Sequence, residues 1–380
     1  MSGARKNHRL GCRSVASSVV EVTRSVVDDD LVEDFARLSV SEYGADAAVG
    51  DPVHLRWKFL DDPAGAAYAD TLSEGTGSGR SDVVGRIVYE PRVMRSASGE
   101  RRAVNPIDLL IHRDHRSPRA FIQLMRGLRE HDGVDLVYLS PNDVSAPLYE
   151  RVLKFAAVGS FVLTGSPLRP ERVLGERLPG WLRPLARSGG ACWRGAMRLA
   201  TSRSGRGVEI SDEVPDGEAL DRLADAVGSE TEWVGSRDHR FHQWRFHEGP
   251  RFEYRVRYAR VDGETVGYLA ARITDFEGLL ACVVIDCVVA AGGVGVREAR
   301  VAKALLADVF RWAITEQADL VAALSFGETR LTWPLRRFPM LRVPRRFWPQ
   351  QAPLLAEWTG AHTGDPAPDL SLTLADMDVF

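Results

Sequence analysis

The chain is poor in lysine, in cysteine and in uninterrupted apolar runs, and it carries almost no net charge. Of its 49 basic side chains only Lys6, Lys58, Lys154 and Lys303 are lysines, a bias that points to a GC-rich genome rather than to a mechanism. The four cysteines, Cys12, Cys192, Cys282 and Cys287, have neither the paired spacing of a zinc site nor that of a redox motif. Cys282 and Cys287 lie in an apolar run and read as buried thiols of a reducing, cytoplasmic compartment. A net charge of −3 over 380 residues gives no global pull toward nucleic acid or membrane. The longest apolar stretch, Leu279 to Val296, is broken by Asp286, Gly292, Gly293 and Gly295, so it reads as a strand entering a glycine turn and not as a membrane span. The first eighteen residues are basic but lack the apolar core of a secretory signal, and a disordered tail is expected over 1–19. A Walker loop, a dinucleotide fingerprint and a nucleophile elbow are also missing.

What the sequence does contain is a repetition. His54-Leu-Arg-Trp-Lys-Phe59 is followed by Asp62-Pro63, and His242-Gln-Trp-Arg-Phe246 by Gly249-Pro250. Each knot leads to a Val-Gly pair, Val84-Gly85 and then Val266-Gly267, and next to an apolar strand with one acid, Ile107-Asp108-Leu-Leu-Ile111 and Val284-Ile-Asp286-Cys-Val288. A helical stretch and a second strand follow in both, Asp135 to Ser140 and Asp319 to Ser325. Landmarks that keep their order imply a duplicated domain rather than a short-repeat solenoid. The expected division is a unit over 20–175, a basic linker over 176–210 and a second unit over 211–380.

In the first unit the spacing predicts a helix over 27–43, with Asp28, Asp29 and Asp30 at its dipole-positive end. A polar Gly/Ser loop is expected over 70–82, strands near 83–90 and 105–112, and a helix near 119–130. A strand at 135–140, a helix at 144–153 and a strand at 156–164 complete it. The second unit predicts a helix over 216–227, a hairpin turning at Asp262-Gly263, a strand over 280–290, a helix over 297–317 and a strand over 319–326. The Pro/Arg-rich stretch to Pro353 reads as loop and edge, with a last short strand over 370–374. The connector between Arg177 and Arg206 interleaves seven arginines with Trp181, Leu182, Leu185, Trp193, Met197 and Leu199, and holds no acid. It is read as a linker helix packed across both units, with contact to an anionic membrane surface as the alternative.

The acid-bearing strand of the first unit runs through His112-Arg-Asp-His-Arg116-Ser-Pro-Arg119-Ala-Phe121 into an apolar helix. A helix N-terminus after such a strand is a natural phosphate site. This order, with Ser140-Pro-Asn142 and Pro147-Leu-Tyr149-Glu-Arg-Val-Leu-Lys-Phe155 beyond it, resembles the acyl-coenzyme-A (acyl-CoA) site of the Gcn5-related N-acetyltransferase (GNAT) superfamily. The resemblance implies an α/β (α+β) fold: two tandem GNAT-like domains, each a mixed, mostly antiparallel sheet flanked by helices. It implies an acyltransferase that moves an acetyl or other acyl group from acetyl-CoA or another acyl-CoA to an amine. The acceptor would be a small-molecule amine, an amino sugar or an aminoacyl group. On this reading the backbone of Leu110, Ile111 and His112 polarises the thioester carbonyl, Arg116 and Arg119 hold phosphates, and Asn142 lies beside the thioester. Tyr149 is the general acid, and Asp108, or a water it orders, is the base. The alternative for Tyr149 is simple packing, and for Asp108 an ion pair with an arginine such as Arg101.

The first unit departs from the family's Arg/Gln-x-x-Gly-x-Gly/Ala turn: Arg119 and Phe121 stand where Gly and a small residue belong, and Pro118 removes a donor. The second has Gly292, Gly293 and Gly295 but Ala290 in place of the arginine, and no tyrosine opposite Tyr149. Two other readings stay open. One is a FemAB-like aminoacyltransferase that draws on aminoacyl-tRNA, which the basic connector would suit. The other is a binding scaffold without catalysis. No metal is expected: His239, His242 and His247 cluster without a cysteine and read as exposed or stacked on aromatic rings. Arg336, Arg337, Arg342, Arg345 and Arg346, among Phe338, Phe347 and Trp348, form a basic-aromatic loop. It would either grip a phosphate, nucleotide-sugar or nucleic-acid backbone, or serve as a rim whose arginines stack on the rings.

Overall fold

We describe a computed structural model that covers residues 20–44, 48–75, 81–143, 145–173, 183–202, 207–229, 232–276, 278–290, 296–327, 331–336, 340–348 and 352–377. The expected tail over 1–19, the glycine turn at 292–295, the connector before Arg183, and Arg337 and Phe338 lie outside these residues. The first copy runs β1 (Val20–Val26), α1 (Asp29–Tyr43), α2 (Pro52–Phe59), β2 (Tyr68–Gly75), β3 (Ser81–Ser96), β4 (Gly99–Ile111), α3 (Pro118–Met125) and β5 (Leu136–Leu139). A wide helical turn over Leu148–Val152 then leads to β6 (Ala157–Ser160) and β7 (Val162–Pro167). After α4 (Pro170–Val173) and the connector helix α5 (Arg183–Ser202) the order repeats. The second copy has β8 (Glu209–Ser211), α6 (Gly217–Gly228), β9 (Trp233–Gly235), α7 (His239–Phe246), β10 (Arg255–Val261), β11 (Glu264–Phe276), β12 (Leu279–Val289), α8 (Val296–Thr315) and β13 (Leu320–Phe326). It ends with β14 (Leu341–Arg342), β15 (Pro353–Trp358) and β16 (Leu370–Thr373).

The duplication is visible in the helix starts. An aspartate caps the first two helices of each copy: Asp28 accepts from the Leu31 N–H, Asp51 from Val53, Asp216 from Ala219 and Asp238 from Phe241. Each cap satisfies a donor that the first helical turn leaves open. α2 and α7 have eight residues each and the same offset as their tryptophans, 187 positions. Those tryptophans meet. The Trp57 and Trp244 rings stack at 4.8 Å and 19°. Each indole donates to the other's backbone carbonyl, Trp57 Nε1 to Trp244 O at 3.1 Å and Trp244 Nε1 to Trp57 O at 3.0 Å. Such reciprocity places the pseudo-twofold axis between the two rings.

All sixteen described strands join one sheet, antiparallel except at β4–β5, β12–β13 and β9–β16. The copies trade strands within it. β5 pairs with β4 on one edge and with β15, from near the chain's end, on the other; β15 in turn pairs with β6. Reciprocally, β7 leaves the first copy and lies between β13 and β14. The exits match: the Thr359 N–H after β15 donates to Asp135 O at 2.7 Å, and the Leu168 N–H after β7 donates to Asp319 O at 2.8 Å. The predicted single strand over 156–164 is thus two strands broken at Phe161, and they serve different halves. The residues past Pro353, read from the sequence as lying beyond a loop, supply a central strand. The polar stretch from Asp70, read as loop, is β2 as far as Gly75, because Ala69, Thr71 and Leu72 are buried against β3.

Between the halves, polar groups are buried in pairs. Arg92 bridges Asp62 and Glu90 at 2.5 Å each and lies over the Trp244 ring. Arg237 bridges Asp286 at 2.7 Å and Asp376 at 2.6 Å, with all three side chains buried. In α5, the Trp193 indole donates to Pro167 O at 2.7 Å, and Met197 is buried in the core under α8. Trp193 and Met197 of the connector therefore meet protein, while Leu199 is exposed. Among the described residues, no helix is long and apolar enough to cross a membrane.

Candidate active site

β4 and β5 are paired only at Ala103–Leu136 and Val104–Val137. β4 continues to Ile111 while β5 ends at Leu139, so the two strands part and leave a wedge. The N–H of His112 donates to Val84 O at 2.8 Å, on the β3 side. Alternation along the strand turns the N–H and C=O of Ile111 to the wedge edge. Arg116 confirms that edge, since its Nε donates to Ile111 O at 2.9 Å. Within β4 the ladder to β3 slips between Arg86 and Val88, and Asp108 sits in the slip at φ 50°. Positive φ is uncommon for a residue other than glycine, and aspartate tolerates it better than most. Asn105, next to the last β4–β5 pair, is buried, and its Nδ2 has no hydrogen-bond partner among the described residues.

The second copy builds the same wedge and fills it. β12 and β13 pair from Ala281–Leu320 to Val284–Ala323, with a slip opposite Ala270 and Ala271. β7 holds the other edge of β13 as far as Ser325, yet Ser325 and Phe326 also pair with Thr373 and Leu372 of β16. β16 therefore lies on the β12 edge, where the two strands have separated. Thr373 Oγ1 and Tyr268 OH donate to the two oxygens of Asp286, at 2.8 and 2.7 Å, and Arg237 Nε completes its shell. No strand among the described residues fills the wedge of the first copy in this way.

The residues singled out in the first copy divide between its two sides. Asp108 is ion-paired with Lys58 Nζ of α2 at 3.3 Å and lies 3.7 Å from Arg86 Nη2. Arg86 is itself buried and donates to Phe35 O at 2.7 Å and to Ser39 Oγ at 3.0 Å, both on α1. The partners of Asp108 are thus Lys58 and Arg86. Tyr149 lies on the opposite, α3 side, buried with Leu109, Met125, Leu128 and Phe155, the last edge-to-face at 6.4 Å. Burial alone pushes the Tyr149 phenol up, so it stays neutral. Asn142 accepts the Ser145 N–H at 2.9 Å and opens the turn that carries Tyr149. Leu110 is buried in the strand.

The two arginines expected to hold phosphates differ in state. Arg119 is exposed, whereas Arg116 Nη2 donates to Glu42 Oε2 at 2.6 Å. The same carboxylate accepts the Arg113 N–H at 2.8 Å, and that bond lowers the Glu42 pKa. At the start of α3, Pro118 has no N–H, Ser117 Oγ takes that of Ala120 at 3.1 Å, and Ser117 O takes that of Phe121 at 3.1 Å. The Arg119 N–H is what remains for an anion. Sequence reasoning missed Glu42, Arg86 and Asn105, and nothing in their spacing marks them. Lys58 carried a signal, being one of so few lysines and standing where the second copy has Arg245.

The other flagged groups are accounted for separately. His239 binds Asp221 at 3.0 Å, while His242 and His247 each contact Tyr258 OH at 3.3 Å. A cleft of about 670 Å³ lies over β1, β2 and the end of α3. Its wall holds an Arg24–Asp70 fork, with both bonds at 2.7 Å, and a Tyr68 OH to His131 Nδ1 bond at 2.8 Å. Burial and the nearby Arg24 lower the His131 pKa to about 4.

No protein-family model matches the chain, and no curated protein matches its sequence. Solved structures do match its shape. A GCN5-related N-acetyltransferase from Anabaena variabilis superposes with TM-score 0.55 at 10% identity, covering 89% of this chain and 72% of that one. A GCN5-related N-acetyltransferase from Kribbella flavida gives 0.53 at 14%, covering 89% and 71%. Saccharomyces cerevisiae N-myristoyltransferase with bound myristoyl-CoA gives 0.53 at 14%, covering 92% and 87%. Identities this low speak to fold, and the parted parallel strands, the slipped β4 and the repeated order agree with them. The chain is built from two tandem copies of the GNAT fold.

Proposed function

We propose that the protein transfers an acyl group from an acyl-CoA thioester to an amine, with the thioester in the wedge of the first copy. The observation that carries this reading is the asymmetry of the two wedges: β16 fills the second, and no described strand fills the first. The thioester carbonyl lies against the Ile111 N–H, which stabilises the oxyanion as the amine attacks. The C–S bond then breaks, and the neutral Tyr149 phenol gives its proton to the departing thiolate. The amine's proton passes through water to Asp108, whose charge Lys58 and Arg86 hold in place. Arg119, with its own N–H, and Arg116, once released from Glu42, hold the pyrophosphate. The acceptor is a small-molecule amine, an amino sugar or an aminoacyl group.

A non-catalytic scaffold is the second reading, favoured by the Glu42–Arg116 pair and by the spent donors of α3. One experiment separates the two: melting with and without acetyl-CoA, followed by thiol release with a panel of amines. At about 100 times its dissociation constant a ligand adds roughly 2.7 kcal/mol. A rise in Tm that vanishes in Arg116→Ala/Arg119→Ala supports the donor site. Turnover that drops about a hundredfold in Tyr149→Phe, with Tm held, supports the acid. A rise without turnover leaves the scaffold, and no rise at all refutes the acyl-CoA reading.

A further inference from the structure

A second cleft lies on the seam where the strands are exchanged. Its volume is about 440 Å³, within the range of small-ligand sites, and it is lined by Ser160, Val162, Thr164, Phe326, Gly327, Arg336 and Arg342. Val162 and Thr164 alternate along β7, so they share one face of the sheet, and Ser160 ends β6 just before it. Arg342 is the cross-strand partner of Thr164 and stands on that face too. Arg336 is fixed by a 2.5 Å bond from Nη2 to Gly327 O, which aims its guanidinium from the end of β13. Arg342 is exposed and forms no ion pair among the described residues. No acid belongs to the described lining, and the Glu232 carboxylate stands beside Gly327 at the Arg336 end, so Arg342 supplies the free positive charge of the cleft.

A further observation lies beneath it. Ser325 is the cross-strand partner of Val162 and faces the same way. It is fully buried, and its hydroxyl has no hydrogen-bond partner among the described residues. A buried hydroxyl left unmatched is costly, and it marks places where water or a ligand atom completes the network.

We propose that this cleft binds a phosphate group, either as free inorganic phosphate or pyrophosphate or as the phosphoester of a small organic molecule. Two guanidiniums from different elements converge on one opening, a geometry suited to the several oxygens of a phosphate. Phe326 also borders the cleft, its ring packed against Phe161 at 5.8 Å. The site is remote in sequence from Arg116 and Arg119 and does not depend on the acyl-CoA reading.

The test is calorimetric titration of the full-length protein with inorganic pyrophosphate and, separately, with AMP. Saturable binding is expected for at least one probe, weakening with salt. Arg342→Gln should lower affinity about tenfold or more without moving the unliganded Tm, since Arg342 is exposed. Arg345→Gln, outside the lining, should leave it unchanged, as should Arg116→Ala/Arg119→Ala, which separates this site from the acyl-CoA site. Tighter binding of AMP identifies a phosphoester ligand, and tighter or equal binding of pyrophosphate identifies the inorganic anion. Absence of saturable binding by both probes overturns the proposal, as does affinity indifferent to Arg342→Gln.

Discussion

The most direct test of the architecture is Trp57→Phe. The substitution keeps an aromatic ring against Trp244 but deletes the indole N–H that reaches Trp244 O at 3.1 Å. That carbonyl belongs to a buried helix and loses a partner it has no solvent to replace. Leaving such an acceptor unmatched costs about 1–3 kcal/mol. Trp244→Phe should cost a similar amount, because its own bond at 3.0 Å is the mirror of the first. The stack at 4.8 Å couples the two positions, and aromatic pairs of this geometry carry roughly 0.5–1.5 kcal/mol beyond area. The double variant should therefore depart from additivity by an amount of that order. Urea unfolding followed by circular dichroism reads all four corners of the cycle. The wild type should unfold in one transition, since each half holds a strand of the other. Additivity within about 0.3 kcal/mol, or two separate transitions in the wild type, would refute the view that the tryptophans lock the halves together.

Other outcomes follow from the same contacts. Asp286→Asn removes one of the two carboxylates paired with buried Arg237, Asp376 remaining at 2.6 Å, and disrupts the bonds from Tyr268 and Thr373, so it should cost about 1–3 kcal/mol by urea unfolding, while Asp135→Asn, at a half-exposed position, should cost less. Gly327→Ala should lower Tm strongly, because φ is +82° and the new Cβ would meet Leu370 O at 2.5 Å, unseating β16. The histidines set an acid limb. His131 is lowered to about 4 and His242 to about 3 from 6.5. Their neutral forms are favoured in the fold, so this stability is complete above the unfolded pKa and is lost as pH falls from about 6.5 toward those values. Urea midpoints should drop across that window, and His131→Gln should flatten part of the slope; an unchanged profile would count against the assignment. Glu42→Gln should free Arg116 and tighten acetyl-CoA binding, and unchanged binding in calorimetry would show that Glu42 does not compete for that arginine.

What the sequence made legible was local. Asp28, Asp29 and Asp30 announced α1 because carboxylates act on the helix end beside them, and the repeated Trp-basic-Phe knots revealed the duplication because a repeat needs no partner to be seen. The apolar periods of β4, β12 and α8 were readable for the same reason. The strand exchange was not, since Val162–Pro167 and Pro353–Trp358 look the same whichever sheet receives them. The residues proposed for the site from the sequence, Asp108, Ile111 and Tyr149, are those that follow one stretch of chain. Lys58, Arg86 and Glu42 come to it from other elements, so their part in it depends on packing that no spacing encodes. The filling of the second wedge was hidden likewise, because Thr373 and Asp286 are 87 positions apart.

The traded strands bear on how the protein is made. When β5 leaves the ribosome, the strand that must lie on its edge has not been translated. About 210 residues separate them, which at about 5–20 residues per second is a delay of roughly 10–40 s. Through that interval the first half presents an open edge, a liability for mispairing with a neighbouring nascent chain. The second half finds β7 already finished when β13 emerges, and it waits only for β16, its own last strand. Both halves are thus completed only at the end of synthesis, the earlier one by β15 and the later one by β16. Two unlinked halves would need a bimolecular encounter to close the same sheet, and joining them in one polypeptide makes that closure independent of how much protein the cell contains.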